Sequence, residues 1–302
     1  MTYILISILV IYLLIMLVIG RQLAYNDIFP KPKPDKRGLD GYSIEDIEFN
    51  GKNNVLLKGW FINSGKNIDG KTLILLHGWT RSRINVIDYI KLFSDNGFHI
   101  LAYDQRSHGH SGTGLVTYGD EEGTDLVKAV EFLKNRYKMV NSEKIGLVAF
   151  SLGTGAAIYG TVLSNNKLFK LLVLEGVFNQ SFDVGSKLLN NIFGKVVGKM
   201  VGFFVFTVGV QIWSLGKFKH SEAGQKVKSI IGIPILIIRG ENDKMVTSTS
   251  AYKFIDSANS PKEVWVHSEN MPEDDLGHVN AYKLYPEEYK RKVLSFINKN
   301  IE

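Results

Sequence analysis

Short runs in which nearly every residue is apolar recur along this chain, among them "TLILL", "HILAY", "IGLVAF", "LLVLE" and "ILII", with helix-compatible stretches between them. A half-exposed strand alternates apolar and polar side chains, so a run without alternation is expected to be buried on both faces. Strands of that kind interleaved with helices restrict the fold to a mostly parallel sheet covered on both sides. The expected class is therefore α/β with an eight-stranded sheet. An early pair, "SIEDIEF" and "NVLLKGWFI", does alternate and is expected to be antiparallel. Helices are expected around 84–96, in "GDEEGTDLVKAVEFLKNRY", after Ser151, around 249–257 and in "PEEYKRKVLSFINK". In the last of these, proline and acids lead, as helix N-termini prefer.

In sheets of this type, ligands and reactive groups gather beyond the carboxyl ends of the strands. Those ends here carry His77-Gly78-Trp79 after "TLILL", "DQRSHGHSGTG" after "HILAY", Ser151 after "IGLVAF", Asp243 after "ILIIRG" and His278 beyond "KEVWVH". Hydroxyl, carboxylate and imidazole appear in the order Ser, Asp, His. The heptapeptide "AFSLGTG" around Ser151 departs from a G-x-S-x-G nucleophile elbow only in having Ala149 for the first glycine. Residues two before and two after such a serine approach each other closely. Alanine adds a single methyl group there, the smallest departure available.

The first 20 residues, "MTYILISILVIYLLIMLVIG", hold no charged side chain. A helix of that length reaches ~30 Å, the thickness of a bilayer core. The run lacks a basic leader, exceeds a signal-peptide apolar region and has no small-x-small site after it, which favours an uncleaved anchor. Arg21, Lys31, Lys33, Lys36 and Arg37 follow the span and none precedes it, so the positive-inside tendency leans the rest of the chain to the cytoplasmic side. Proline and lysine alternate in the next segment, which is expected to be extended. The expected organisation is a transmembrane anchor at 1–20, a linker at 21–41 holding the folded part off the membrane, and a catalytic domain at 42–302.

Taken together, "LLHGW", "YDQRSHGHSG", "YGDEEGTDL", "AFSLGTG", "GENDKMV" and "HVNAYKLYPEEYKRKVLSFI" resemble the α/β-hydrolases, and within them membrane-anchored serine hydrolases. The resemblance implies Ser151 as nucleophile, His278 as general base and Asp243 as the carboxylate that orients the imidazole. It also implies an oxyanion hole from the backbone N–H groups of Trp79 and Leu152. The residues alone leave competitors: Glu241 and Glu175 for the carboxylate, His267 for the imidazole. Asp104 and Arg106 are expected to pair and shape their loop.

The function implied is hydrolysis of a carboxylic ester or thioester by acyl transfer through serine. The resemblance also implies a helical cap at about 179–228; its apolar stretch "MVGFFVFTVGVQIWSLG" is expected to line the pocket or touch the bilayer, which favours a lipid-like acyl substrate, with plain packing onto the core as the alternative. A serine peptidase and a catalytically silent, membrane-tethered binding module are the alternatives. No cofactor is expected. With no cysteine in 302 residues and no carboxylate at ligand spacing from His77, His108 and His110, no metal site is expected either. A net charge of +6, spread along the chain, gives no support to nucleic-acid binding.

Overall fold

A computed structural model describes residues 2–28, 34–36, 38–67, 69–268 and 277–302. The chain opens with helix α1 (Thr2–Tyr25), then strands β1 (Ser43–Asn50), β2 (Leu56–Asn63) and β3 (Thr72–Leu76). Helix α2 (Ile87–Asp95), β4 (His99–Tyr103), α3 (Asp120–Arg136), β5 (Ile145–Phe150), α4 (Leu152–Leu163) and β6 (Leu171–Glu175) follow. Four helices come next: α5 (Ser181–Phe193), α6 (Lys195–Phe204), α7 (Val210–Ser214) and α8 (Ala223–Lys226), with a π turn at Val205–Gly209 joining α6 to α7. The chain closes with β7 (Ile235–Gly240), α9 (Ser248–Ser257), β8 (Lys262–His267), α10 (Ala281–Leu284) and α11 (Pro286–Asn300).

The strands form one eight-stranded sheet in the order β1-β2-β4-β3-β5-β6-β7-β8. The pairs β1–β2 and β2–β4 are antiparallel, and every pair from β4 to β8 is parallel. This is the mostly parallel sheet that the apolar runs predict, in the arrangement that the resemblance to the α/β-hydrolases implies. All residues of β3, β4, β5, β6 and β7 are buried. Their side chains divide by parity between two cores. Ile74, Leu76, Leu147 and Ala149 meet α3, α4 and α9 on one face. Leu73, Leu75, Val148 and Phe150 meet α2 and α11 on the other. The chain leaves β3 for β4 on one side and returns to β5 on the other, so a crevice opens between the carboxyl ends of β3 and β5, where strand order reverses.

A third apolar cluster lies outside the sheet. Met16, Leu23 and Ala24 of α1 are buried against Leu189, Val201, Val205, Val210 and Phe218. The two helical segments cross glycine on glycine: a Cβ on Gly20 would lie 2.5 Å from the Gly209 carbonyl carbon, and one on Gly209 would lie 2.7 Å from the Met16 carbonyl oxygen. Small residues let two helix backbones approach this closely. The indole N–H of Trp213 donates to the Leu17 carbonyl at 2.8 Å, and the Tyr25 hydroxyl donates to the Trp213 carbonyl at 3.0 Å.

One expectation is corrected here. The apolar helix does not stop at residue 20 but runs to Tyr25, and its last turn is docked rather than part of a spacer. Ala24 accepts a hydrogen bond from the Val116 N–H at 2.7 Å, and the buried Asn26 amide donates to the Ser107 carbonyl at 3.1 Å. Residues 29–33 and 37 of the expected linker lie outside the described residues. Of the apolar stretch 200–216, Val201, Val205 and Val210 pack against α1, Met200, Phe203, Phe204 and Ile212 stay exposed, and none of its described residues lines the crevice. The span Val196–Ser214 is, like Tyr3–Tyr25, long and apolar enough to cross a membrane.

Candidate active site

Ser151 sits between β5 and α4 with φ 49° and ψ −114°. Positive φ is costly for a residue with a Cβ and persists only where the surroundings hold it. Here its N–H donates to the Glu175 carbonyl at 2.9 Å, and its carbonyl accepts from the N–H and hydroxyl of Thr154 at 2.8 and 2.7 Å. The turn is tight enough to exclude bulk beside it. A Cβ on Gly153 would stand 2.7 Å from the Leu76 carbonyl oxygen, and Ala149 is fully buried in register with Leu76 and Leu174. The single methyl of Ala149 is accommodated, as the sequence analysis expects.

The structure brings Ser151, His278 and Asp243 into one hydrogen-bonded series. The His278 Nε2 lies 2.8 Å from the Ser151 Oγ, and its Nδ1 lies 2.7 Å from the Asp243 Oδ2. The other oxygen of Asp243 accepts from the N–H groups of Met245 and Val246 at 2.7 and 2.9 Å, which holds the carboxylate plane. Ionised carboxylates accept such bonds strongly. Both side chains are largely withdrawn from solvent, at 11% exposure for His278 and 4% for Asp243.

Three residues weighed as competitors are elsewhere. Glu241 is exposed. His267 is buried beside Trp265 and Tyr285, with ring centroids 5.9 and 5.5 Å away. Glu175 comes nearer. Its Oε1 accepts from the Ala281 N–H at 2.9 Å, and burial raises its carboxyl from 4.5 to about 7, against the opposing effects of that bond and of His278.

Trp79 and Leu152 line, together with Ser151, a cavity of about 460 Å3. Leu152 begins α4, so its N–H belongs to a helix first turn, where amides lack an intrahelical acceptor. The turn bearing Trp79 comes close to the serine: a Cβ on Gly78 would lie 3.3 Å from that of Ser151. His77 braces it. The backbone N–H of Gln105 donates to the His77 Nε2 at 3.0 Å, so Nδ1 carries the proton and donates to the Gly78 carbonyl at 2.8 Å. Burial holds this imidazole well below its usual pKa, and hence neutral. Among the described residues no cluster of His, Cys, Asp and Glu is arranged to hold a metal ion.

The expected Asp104–Arg106 pair is not formed. Asp104 pairs instead with Arg83 and accepts from the Arg83 and His110 N–H groups at 2.8 Å each. Arg106 turns the other way, making a two-pronged contact with Asp125 at 2.7 Å per bond and a further one with Glu121 at 2.5 Å. A buried guanidinium needs several acceptors at once, and α3 supplies them where Asp104 is already used.

The cavity wall combines Tyr89, Phe150, Phe178, Val184 and Met245 with Leu23 of α1. Nothing in the sequence marks Leu23 as a cavity residue: it lies past Arg21 and Gln22, in the segment expected to be linker, and a lone leucine there does not distinguish a cavity wall from ordinary packing.

A family model for the alpha/beta hydrolase fold matches residues 71–196. The Bacillus subtilis (strain 168) protein YqkD is 39% identical over 90 residues, 28% of this chain and only 30% of that relative's length. An acyl transferase of Shewanella woodyi is 24% identical over 253 residues, 79% of each chain. The Pyrococcus furiosus esterase Pf2001 superimposes with a TM-score of 0.70 at 26% identity, over 90% of this chain and 99% of that one. Esterase likeness supports a hydrolase, and sheet order, elbow and matched family model agree on the α/β-hydrolase fold.

Proposed function

We propose that this protein is a membrane-anchored serine hydrolase that cleaves a lipophilic carboxylic ester or thioester through an acyl-serine intermediate. The reading rests on one observation above all: the hydrogen-bonded series Ser151–His278–Asp243 opening into an apolar-walled cavity. A serine hydroxyl near neutral pH needs an adjacent base to become a nucleophile. As the Ser151 Oγ bonds to the substrate carbonyl carbon, its proton passes to the His278 Nε2. Asp243 then stabilises the imidazolium and fixes the tautomer. The carbonyl oxygen, now anionic, accepts from the N–H groups of Trp79 and Leu152. Collapse of the tetrahedral adduct breaks the bond to the alcohol or thiol, which leaves with the proton from His278. Water then repeats the sequence on the acyl-serine, releasing the acid and restoring Ser151.

In this reading residues 1–20 are the embedded part of α1, 42–302 the catalytic domain, and the helices within 179–228 its cap. The charges after the span lean the domain to the cytoplasmic side, which a protease-accessibility assay on intact cells checks. Names given to relatives such as the Shewanella woodyi acyl transferase favour one second reading, in which an alcohol other than water takes the acyl group. Product analysis with added alcohols separates the two. The primary test is labelling with a fluorophosphonate. An adduct is expected on Ser151, absent in Ser151→Ala and lost in His278→Ala, with ester turnover falling ~10⁴–10⁶-fold in either variant. An unlabelled wild-type protein overturns the proposal.

A further inference from the structure

We propose that Leu23, carried by the last turn of α1, determines which acyl-chain lengths the cavity accepts, so that the apolar N-terminal helix is part of the substrate site. This deepens the hydrolase reading and rests on it. Leu23 is only 4% exposed, yet it lines the same cavity as Ser151 and His278. Its position is set by a built structure rather than by a loose tail. Ala24 and Asn26, next to it, hydrogen-bond to Val116 and Ser107 of the catalytic domain. Gln22 donates to the Asn26 side chain at 2.8 Å and accepts from the Ile28 N–H at 2.9 Å, closing the end of the helix. On the other side, Arg21 pairs with Asp27 at 2.7 Å and lies 4.6 Å over the Trp213 ring. The cap covers this cavity only through Val184 and Gly185 among the described residues, so α1 supplies a wall that the cap does not.

The cavity, at about 460 Å3, is of the size that buries most of a small ligand. In a pocket of that kind one methylene more or less changes discrimination by roughly 10–200-fold. Leu23→Trp intrudes on the cavity and Leu23→Ala enlarges it. The measurement is kcat/KM for p-nitrophenyl esters from acetyl to dodecanoyl, on the full chain in detergent. For Leu23→Trp the decanoyl-to-acetyl ratio is expected to fall about tenfold or more from wild type, and for Leu23→Ala the optimum is expected to move to longer chains. Leu14→Ala, on the exposed part of the same helix, is expected to keep the wild-type profile.

A second measurement needs no variant. A long-chain fluorophosphonate with a terminal diazirine, attached at Ser151 and illuminated, is expected to cross-link to the peptide containing Leu23. Unchanged chain-length profiles in both Leu23 variants, or cross-links confined to peptides other than the one containing Leu23, overturn this proposal while leaving the hydrolase reading standing. Failure of the wild-type protein to turn over any ester overturns both.

Discussion

Ionisation of Glu175, a buried acid beside the site, bears on stability. This residue ends β6, with its carboxyl raised from 4.5 to about 7 by burial. Tyr89 of α2, Tyr289 of α11, His278 and Asp243 are the titratable groups around it. An acid that holds its proton more tightly folded than unfolded loses stability as pH rises between the two values. Stability is therefore expected to fall from about pH 4.5 to about pH 7 and to level off above, by on the order of 3 kcal/mol from this group. Glu175→Gln keeps an acceptor for Ala281 and cannot ionise. Urea titrations at pH 5 and pH 8 are expected to give the variant the smaller loss of unfolding free energy, and equal losses would refute the assignment. At Gly153 the constraint is steric. Gly153→Ala drives a methyl into the Leu76 carbonyl, and its unfolding free energy is expected to drop by about 1–3 kcal/mol.

At the scale of elements, the sheet and its helices follow from local patterning, whereas the pairing of α1 with the α6–α7 segment does not. Both partners are apolar nearly all round, so neither shows a face that names the other. Contact is decided by backbone approach at Gly20 and Gly209. Gly20→Leu is expected to separate the helices at a cost of about 1–3 kcal/mol and to lower the melting temperature in detergent by several degrees. Tryptic cleavage after Arg21 is expected to accelerate in the same variant, since that side chain is held against Trp213 and Asp27. An unchanged cleavage rate would mean that the glycine crossing does not hold the helix end.

For the whole molecule, the question is how an apolar helix and an α/β domain share one chain. The side chains of α1 from Tyr3 to Val18 are largely exposed, while the turn ending at Tyr25 is packed. Exposed apolar surface that extensive is stable in lipid and not in water. The full chain is expected to remain in the pellet on carbonate extraction. A Leu9→Lys, Leu13→Lys double variant, altering two exposed positions, is expected to move to the supernatant. Recovery of the wild-type protein in the supernatant would argue against the anchor.

The sequence by itself determined the buried strands, the antiparallel first pair, the elbow at Ser151 and the order of hydroxyl, carboxylate and imidazole at the strand ends. These depend on side-chain period and on turn chemistry between near neighbours, and both are written locally. Only the tertiary structure decided that Asp104 answers Arg83 and Arg106 answers α3, and that Leu23 reaches the cavity of Ser151. Such choices turn on distances between segments far apart in the chain. Several partners of equal chemistry compete there, and packing selects one.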